Sequence, residues 1–314
     1  MIPQMHEIAI FAYPWGKWLV SVTMQAGFFF DYLVFWIVPD VRLLSVDIRF
    51  DFVDLWHSWW IFPKAFLFFI SPIFAIYFLR KKGLIALFCC GFLYCWFLFL
   101  TELAAVRFQE PFVLYRSYLW APGYVMMITA ICARASLRWL VIAAIPLFVI
   151  FFFLARERLT SLENAANVWE DAATKLASPS LIGSDRIFYN RGSTYLRDKR
   201  YEDAIADFSQ TIQLNSKVSQ AYYNRALAFY ALEKYPEAMF DLDRALSLNK
   251  EGASIQYARG LVFERRGCIG AATHAYSESM ALGNQIAQMK LADLAKKIPA
   301  SANRERSSND VSCP

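Results

Sequence analysis

Charge, histidine and cysteine are all scarce in this chain. Of its 314 residues only 19% are charged, against about 25% in an ordinary soluble domain. The three histidines, His6, His57 and His274, lie far apart. The six cysteines include no CxxC pair. Cys89, Cys90, Cys95 and Cys132 sit in apolar runs, where small buried thiols are common, and Cys268 and Cys313 are isolated. Neither a metal-ligand spacing nor a disulfide framework is legible, so no metal site is expected. The formal net charge of +5 is small and spread over the whole chain, so no nucleic-acid partner is expected either. The first 17 residues lack a basic start, a short apolar core and a small-residue cleavage site, and so do not read as a cleaved signal.

What is present is an excess of apolar and aromatic residues, 57% and 17%, which excludes a disordered or collagen-like chain. The excess belongs to one half. Residues 1–155 hold 11 Lys/Arg, 8 Asp/Glu, 23 of the 28 Phe and 9 of the 10 Trp. Residues 156–314 hold the other 21 Lys/Arg and 19 Asp/Glu. The first half suits lipid and the second suits water. An all-α fold follows, with multipass transmembrane helices leading into a helical solenoid.

A helix needs about 20 mostly apolar residues to cross the hydrocarbon. Five stretches qualify: 18–38, 61–79, 84–103, 118–133 and 137–155. The fourth is short and interrupted by Pro122-Gly123, and the fifth contains Pro146. Arg80-Lys81-Lys82 and the pair Arg134 and Arg138 mark two turns as cytoplasmic. The N-terminus is then cytoplasmic, and the chain after residue 155 faces outward, in the periplasm or its equivalent beyond an inner (plasma) membrane. Trp56, Trp59 and Trp60 form an aromatic anchor at the outer interface. If the short fourth segment were re-entrant, the second half would instead be cytoplasmic.

Two outward loops carry ionisable groups. The first holds Asp40, Asp47, Asp51 and Asp54 with Arg42 and Arg49. The second holds Arg107, Gln109, Glu110, Arg116 and Tyr118 beside the broken span. Ionisable groups at membrane depth persist mostly where they line a cavity, and arginines there are able to clamp a phosphate. The simpler reading pairs Arg with Glu at the headgroup level. Gln25 and Asp31 lie inside the first span and are expected to face other helices.

Residues 156–184 form a linker. Leu159, Leu162, Ala166, Trp169, Ala173 and Leu176 make one apolar helical stripe, which Ser178-Pro179-Ser180 ends.

The polar half repeats itself. FYNRGSTY, YYNRALAF and QYARGLVF begin at 188, 222 and 256, each 34 residues apart. YEDAIADFSQTI, YPEAMFDLDRAL and a weaker CIGAATHAYSESM follow in the same register. Gly192, Ala226 and Gly260 are small residues that let paired helices approach, opposite Ala204, Ala238 and Ala272. This is the tetratricopeptide (TPR) pattern of helix–turn–helix repeats. It predicts three repeats and a capping helix over 185–298, with a disordered tail over 299–314. Arg191 and Asp207 are 16 apart, as are Arg225 and Asp241, while the third repeat has Arg259 but Ala275. Ion pairs within repeats are the preferred reading. Tyr189, Tyr223 and Tyr257 recur on the first helices, with Asn190 and Asn224 beside two of them. On a concave face such residues suit an extended peptide, Asn for its backbone and Tyr for rigid contact area. Solvent-facing filler is the competing reading.

Gln25, Tyr32, Pro39 and LSVD (44–47), the block QEPFVLYRSYLWAPG (109–123), and the order of spans, amphipathic helix and repeats resemble transmembrane-and-tetratricopeptide O-mannosyltransferases and their bacterial relatives. Those are multipass glycosyltransferases of the C superfamily that use polyprenyl-phosphate sugars. The resemblance implies donor-phosphate contacts by Arg107, Gln109, Glu110, Arg116 and Tyr118. It also implies a polyprenyl-phosphate-linked sugar and a divalent metal in a complete enzyme. The family's acidic first loop has no counterpart here, so no catalytic residue, no resident cofactor and no autonomous catalysis are expected. Two functions follow. One is a membrane-anchored module that touches lipid and binds a protein or peptide through its repeats. The other is the C-terminal part of a lipid-linked sugar transferase.

Overall fold

The computed structural model describes residues 16–35, 58–103, 119–176, 178–181 and 183–297. All regular structure in them is helical. The chain divides into two compact units, Met1–Ser184 and Asp185–Pro314.

In the first unit the helices are α1 (Gly16–Phe35), α2 (Ile61–Leu79), α3 (Gly83–Leu103), α4 (Ala121–Cys132), α5 (Leu137–Leu162) and α6 (Ala165–Thr174). Four of them, α1, α2, α3 and α5, are long and apolar enough to cross a membrane. The fourth stretch read from the sequence is different. Helix α4 has 12 residues, which at 1.5 Å per residue gives roughly 18 Å, short of the ~30 Å hydrocarbon core. Pro122 starts it, because a proline lacking N–H is tolerated in the first turn.

Helices α1 to α4 share an aromatic core. The Phe29 ring lies 5.2 Å from Phe68, 5.3 Å from Phe99 and 5.7 Å from Trp120. Pro72 in α2 cannot donate to the Phe68 carbonyl four residues back. That carbonyl accepts from the Trp96 indole N–H of α3 at 3.0 Å and from the Ser71 hydroxyl at 3.0 Å. Asp31 of α1 does face another helix: it accepts from Lys64 of α2 at 2.7 Å.

Helices α3 and α4 touch through backbone. A Cβ on Gly91 would stand 2.4 Å from the Gly123 carbonyl oxygen, and one on Gly123 would stand 2.6 Å from that of Gly91. Small residues permit such an approach between helices in lipid. The pairing is antiparallel. Cys95 meets the Trp120 carbonyl, whereas Gly91 faces Met126 and Met127. So α4 begins beside the middle of α3 and runs toward the Gly83 end. The basic turns at 80–82 and 134–138 therefore lie at one end of this bundle.

None of the α5 side chains is buried. Helix α6 folds back on it, with the Asn164 side chain capping its start. Asp171 accepts from Arg158 at 2.9 Å and pairs with Lys175 at 2.6 Å, and Lys175 also reaches Glu157 at 3.6 Å.

The second unit contains α7 (Ser184–Arg197), α8 (Tyr201–Leu214), α9 (Ser219–Ala231), α10 (Tyr235–Leu248), α11 (Ala253–Arg265), α12 (Ile269–Ala281) and α13 (Gln285–Lys297). Glycine appears where the facing ring is large. A Cβ at Gly192 would lie 3.1 Å from the Phe208 ring, and one at Gly260 would lie 2.5 Å from the Tyr276 ring. Where the facing residue is Leu242, the same position is Ala226, and both are buried in one core cluster. The turn within each pair uses left-handed backbone at the same register: Lys199 (φ 62°), Glu233 (φ 60°) and Gly267 (φ 78°). Each repeat is also tied end to end across 26 residues. Thr211 donates to the Asp185 carbonyl, Ser279 to that of Ala253, and in the middle repeat the bond reverses, with Ser219 donating to Ala245.

Candidate functional site

The repeat unit brings together the tyrosine and asparagine column read from the sequence. Tyr189, Asn190, Tyr223, Asn224 and Tyr257 lie on α7, α9 and α11, and all five are half-buried. They are partly sunk into the core. The Tyr189 ring stands 6.0 Å from Phe208, and the Tyr257 ring 5.5 Å from Tyr276. Each tyrosine thus packs one part of its ring inward and offers the rest to the helix surface. The amide of Asn224 donates to the Tyr189 hydroxyl at 3.2 Å, linking two repeats. The Ser193 hydroxyl lies 3.5 Å from the same amide. The third repeat has Ala258 where the first two have asparagine. Burial pushes the Tyr223 hydroxyl pKa up, and the neighbouring Tyr257 adds to it.

Ion pairs join the two helices within the first two repeats. Arg191 donates to both oxygens of Asp207 at 2.8 and 2.7 Å. Arg225 donates to both oxygens of Asp241 at 2.7 Å. Such bidentate pairs fix the angle between the two helices of a repeat. Arg225 also reaches Ser209 of the preceding repeat at 2.9 Å. With Ala275 in the aspartate position, Arg259 turns to Gln256 at 3.1 Å and to Asp243 of the preceding repeat at 3.1 Å. Its buried Nε has no hydrogen-bond partner among the described residues.

Three contacts at the ends of the first helices were not foreseen from the sequence. Arg265 donates to the Tyr230 hydroxyl at 3.2 Å. Glu264 accepts from the Tyr276 hydroxyl at 2.8 Å and from Lys290 of α13 at 3.4 Å. Leu196, Tyr230 and Glu264 share one register, but their side chains differ too much for the period to announce a contact. The five residues of the second outward loop, Arg107, Gln109, Glu110, Arg116 and Tyr118, lie outside the described residues. So do the four aspartates of the first loop and the tail over 299–314.

Models of the tetratricopeptide repeat match residues 185–218 and 219–251. Residues 185–251 are therefore two TPR repeats, a class whose members serve in protein interaction. No curated protein matches the chain. Among solved structures it is similar to the first TPR of Spaghetti (RPAP3) bound to HSP90 peptide SRMEEVD. That match has 21% identity and a TM-score of 0.35, covering 36% of this chain and 91% of the other. The Arabidopsis OM64 TPR domain matches at 23% identity and a TM-score of 0.35, covering 37% and 97%. MamA matches at 22% identity and a TM-score of 0.37, covering 46% and 87%.

Proposed function

We propose that this chain is a membrane-anchored TPR protein that binds an extended segment of a partner protein along the first-helix face of its repeats. The observation that carries the reading is the ladder of Tyr189, Tyr223 and Tyr257. Half-buried tyrosines give rigid contact area at little entropic cost, and the core behind them holds them in place. Asn190 supplies an amide for the backbone of such a segment.

The repeats are assigned to the outer side of an inner membrane. Support comes from the two basic turns, which share one end of the α2–α4 bundle. Helix α5 starts at the second of these turns. Its 26 residues are roughly 39 Å long, so its C-terminal residues project past the opposite face.

A second reading makes the chain the C-terminal part of a polyprenyl-phosphate-sugar-dependent protein O-glycosyltransferase. The residue block 109–123 supports it. Arg107 and Arg116 would hold the donor phosphate, Gln109, Glu110 and Tyr118 would orient it, and the repeats would present the acceptor. The acidic loop and any divalent metal would come from another chain or segment.

Photoreactive residues at Asn190 and Tyr223, compared with Glu237 on α10, test the binding face in intact membranes. One defined partner is expected from the first two positions and none from Glu237. With that partner purified, Tyr223→Ala should weaken Kd about tenfold. Equal adducts from all three positions would contradict the proposal.

A further inference from the structure

The two basic turns of the first unit are set apart by what surrounds them. Arg80, Lys81 and Lys82 lie in the turn from α2 to α3, and Arg134 and Arg138 flank the turn from α4 to α5. All five are exposed, and none pairs with an acid among the described residues. From Ile61 to Thr101 and from Leu119 to Arg156 the sequence has no aspartate or glutamate. Other cations of the unit do have such partners: Lys64 has Asp31, and Arg158 and Lys175 share Asp171.

The turns are neighbours. Gly91 meets Gly123 and Cys95 meets the Trp120 carbonyl, so antiparallel α3 and α4 bring Cys132 beside Gly83. One helix spacing, about 8–10 Å, then separates the turn at 80–83 from that at 133–136. Both reversals are tight. Lys82 (φ 54°) and Gly83 (φ 67°) are both left-handed, and the Ala135 N–H donates to the Cys132 carbonyl at 2.9 Å. Lys82 thus keeps a lysine where the backbone favours glycine. Helices α3 and α5 both start at this end, so the positive ends of their dipoles add to the five cations. Ser136, the N-cap of α5, uses its hydroxyl in no cap bond. Tyr77 and Trp139, exposed near the same end of α2 and α5, are the ring types that gather at headgroup level.

We propose that this end of the bundle binds the headgroup of an anionic glycerophospholipid between its two turns, through Arg80, Lys81, Lys82, Arg134 and Arg138. The site rests on the reading of α2, α3 and α5 as membrane helices. Charge complementarity selects the ligand. Five cations without a carboxylate attract a phosphodiester, and they leave the amine of a zwitterionic headgroup unmatched. Each arginine offers two parallel N–H donors to two phosphate oxygens, while the lysines act as point charges. The Ser136 hydroxyl supplies one more donor. Orientation in the membrane requires only an excess of cations in each loop. It does not require the two loops to converge on one acid-free site.

The test uses the full-length chain in detergent micelles, titrated with phosphatidylglycerol or phosphatidylcholine of matched acyl chains and read by native mass spectrometry. The chain is expected to retain phosphatidylglycerol under activation that strips phosphatidylcholine. Arg80→Gln with Arg134→Gln should weaken phosphatidylglycerol binding roughly thirtyfold, about fivefold for each charge. Arg80→Lys with Arg134→Lys should keep most of the binding. Lys217→Gln with Lys250→Gln removes the same charge from exposed turns between repeats and should change nothing. Equal retention of the two lipids by the unaltered chain would mean annular lipid only and would overturn the proposal. So would an equal effect of the two charge-removing variants. Sodium carbonate extraction separates the two failures. A chain that stays in the membrane pellet but shows no lipid preference rejects the headgroup site alone. A chain released by carbonate rejects the membrane reading as well.

Discussion

The amide of Asn224 donates to the hydroxyl of Tyr189, 35 residues away and one repeat earlier, at 3.2 Å. The bond crosses the face assigned to the partner and holds the first two rungs of the tyrosine ladder in register. Asn224→Ala should cost about 1 kcal/mol of repeat stability, read from the denaturant midpoint. Tyr189→Phe should cost a similar amount, and the double variant no more than the larger single loss. Additive losses would mean that the two residues act separately.

The Asp241 carboxylate is almost fully buried under Arg225. Removing one member of such a pair strands the other charge. Asp241→Ala should therefore destabilise the repeats by roughly 3–5 kcal/mol. Exposed Arg200 and Asp203 also pair, at 2.7 Å, but Asp203→Ala should change stability by less than about 1 kcal/mol. Thermal unfolding of the two variants side by side checks the ranking.

Gly260 is matched to Tyr276. A Cβ there meets the ring, so Gly260→Ala should cost about 1–3 kcal/mol by overpacking. The middle repeat already pairs alanine with leucine, as Ala226 and Leu242. Gly260→Ala combined with Tyr276→Leu should recover part of the loss. No recovery would show that the glycine is required for a reason other than ring size.

Left-handed backbone at Lys199 and Glu233 makes a further test. A side chain there costs roughly 1–2 kcal/mol, offset in part by the greater freedom glycine has when unfolded. Glu233→Gly should raise stability by up to about 1 kcal/mol, and Gly267→Glu should lower it. The midpoint of urea unfolding reports both signs.

Burial raises the Tyr276 pKa, and the hydrogen bond to Glu264 adds to the rise. Tyr223 is raised as well. A folded-state pKa above the unfolded one means that stability is complete below the ordinary tyrosine pKa of about 10 and falls as pH climbs above it. The melting temperature of the repeats should therefore drop between about pH 10 and pH 11. Tyr276→Phe should start lower and drop less steeply.

The repeats were legible because a 34-residue period couples small residues on one helix to large ones on the next, and both belong to the core. The Arg–Asp pairs were legible for the same reason. Residues outside that period were harder to read. Lys199 and Glu233 adopt a glycine-like conformation without being glycine, so no residue type signals it. Helix α4 is shorter than its apolar stretch, and the approach of Gly91 to Gly123, which no periodicity announces, sets where it packs. The tyrosine column was found, but its half-burial was not, since tyrosine serves a core and a groove equally well.

In the proposed topology the membrane half holds the TPR repeats on the outer face. Alkaline phosphatase, active only outside the cytoplasm, fused in turn after residues 82 and 184 measures it directly. That topology gives an inactive fusion at 82 and an active one at 184. Activity at 82, or inactivity at 184 in a stably expressed fusion, would contradict it.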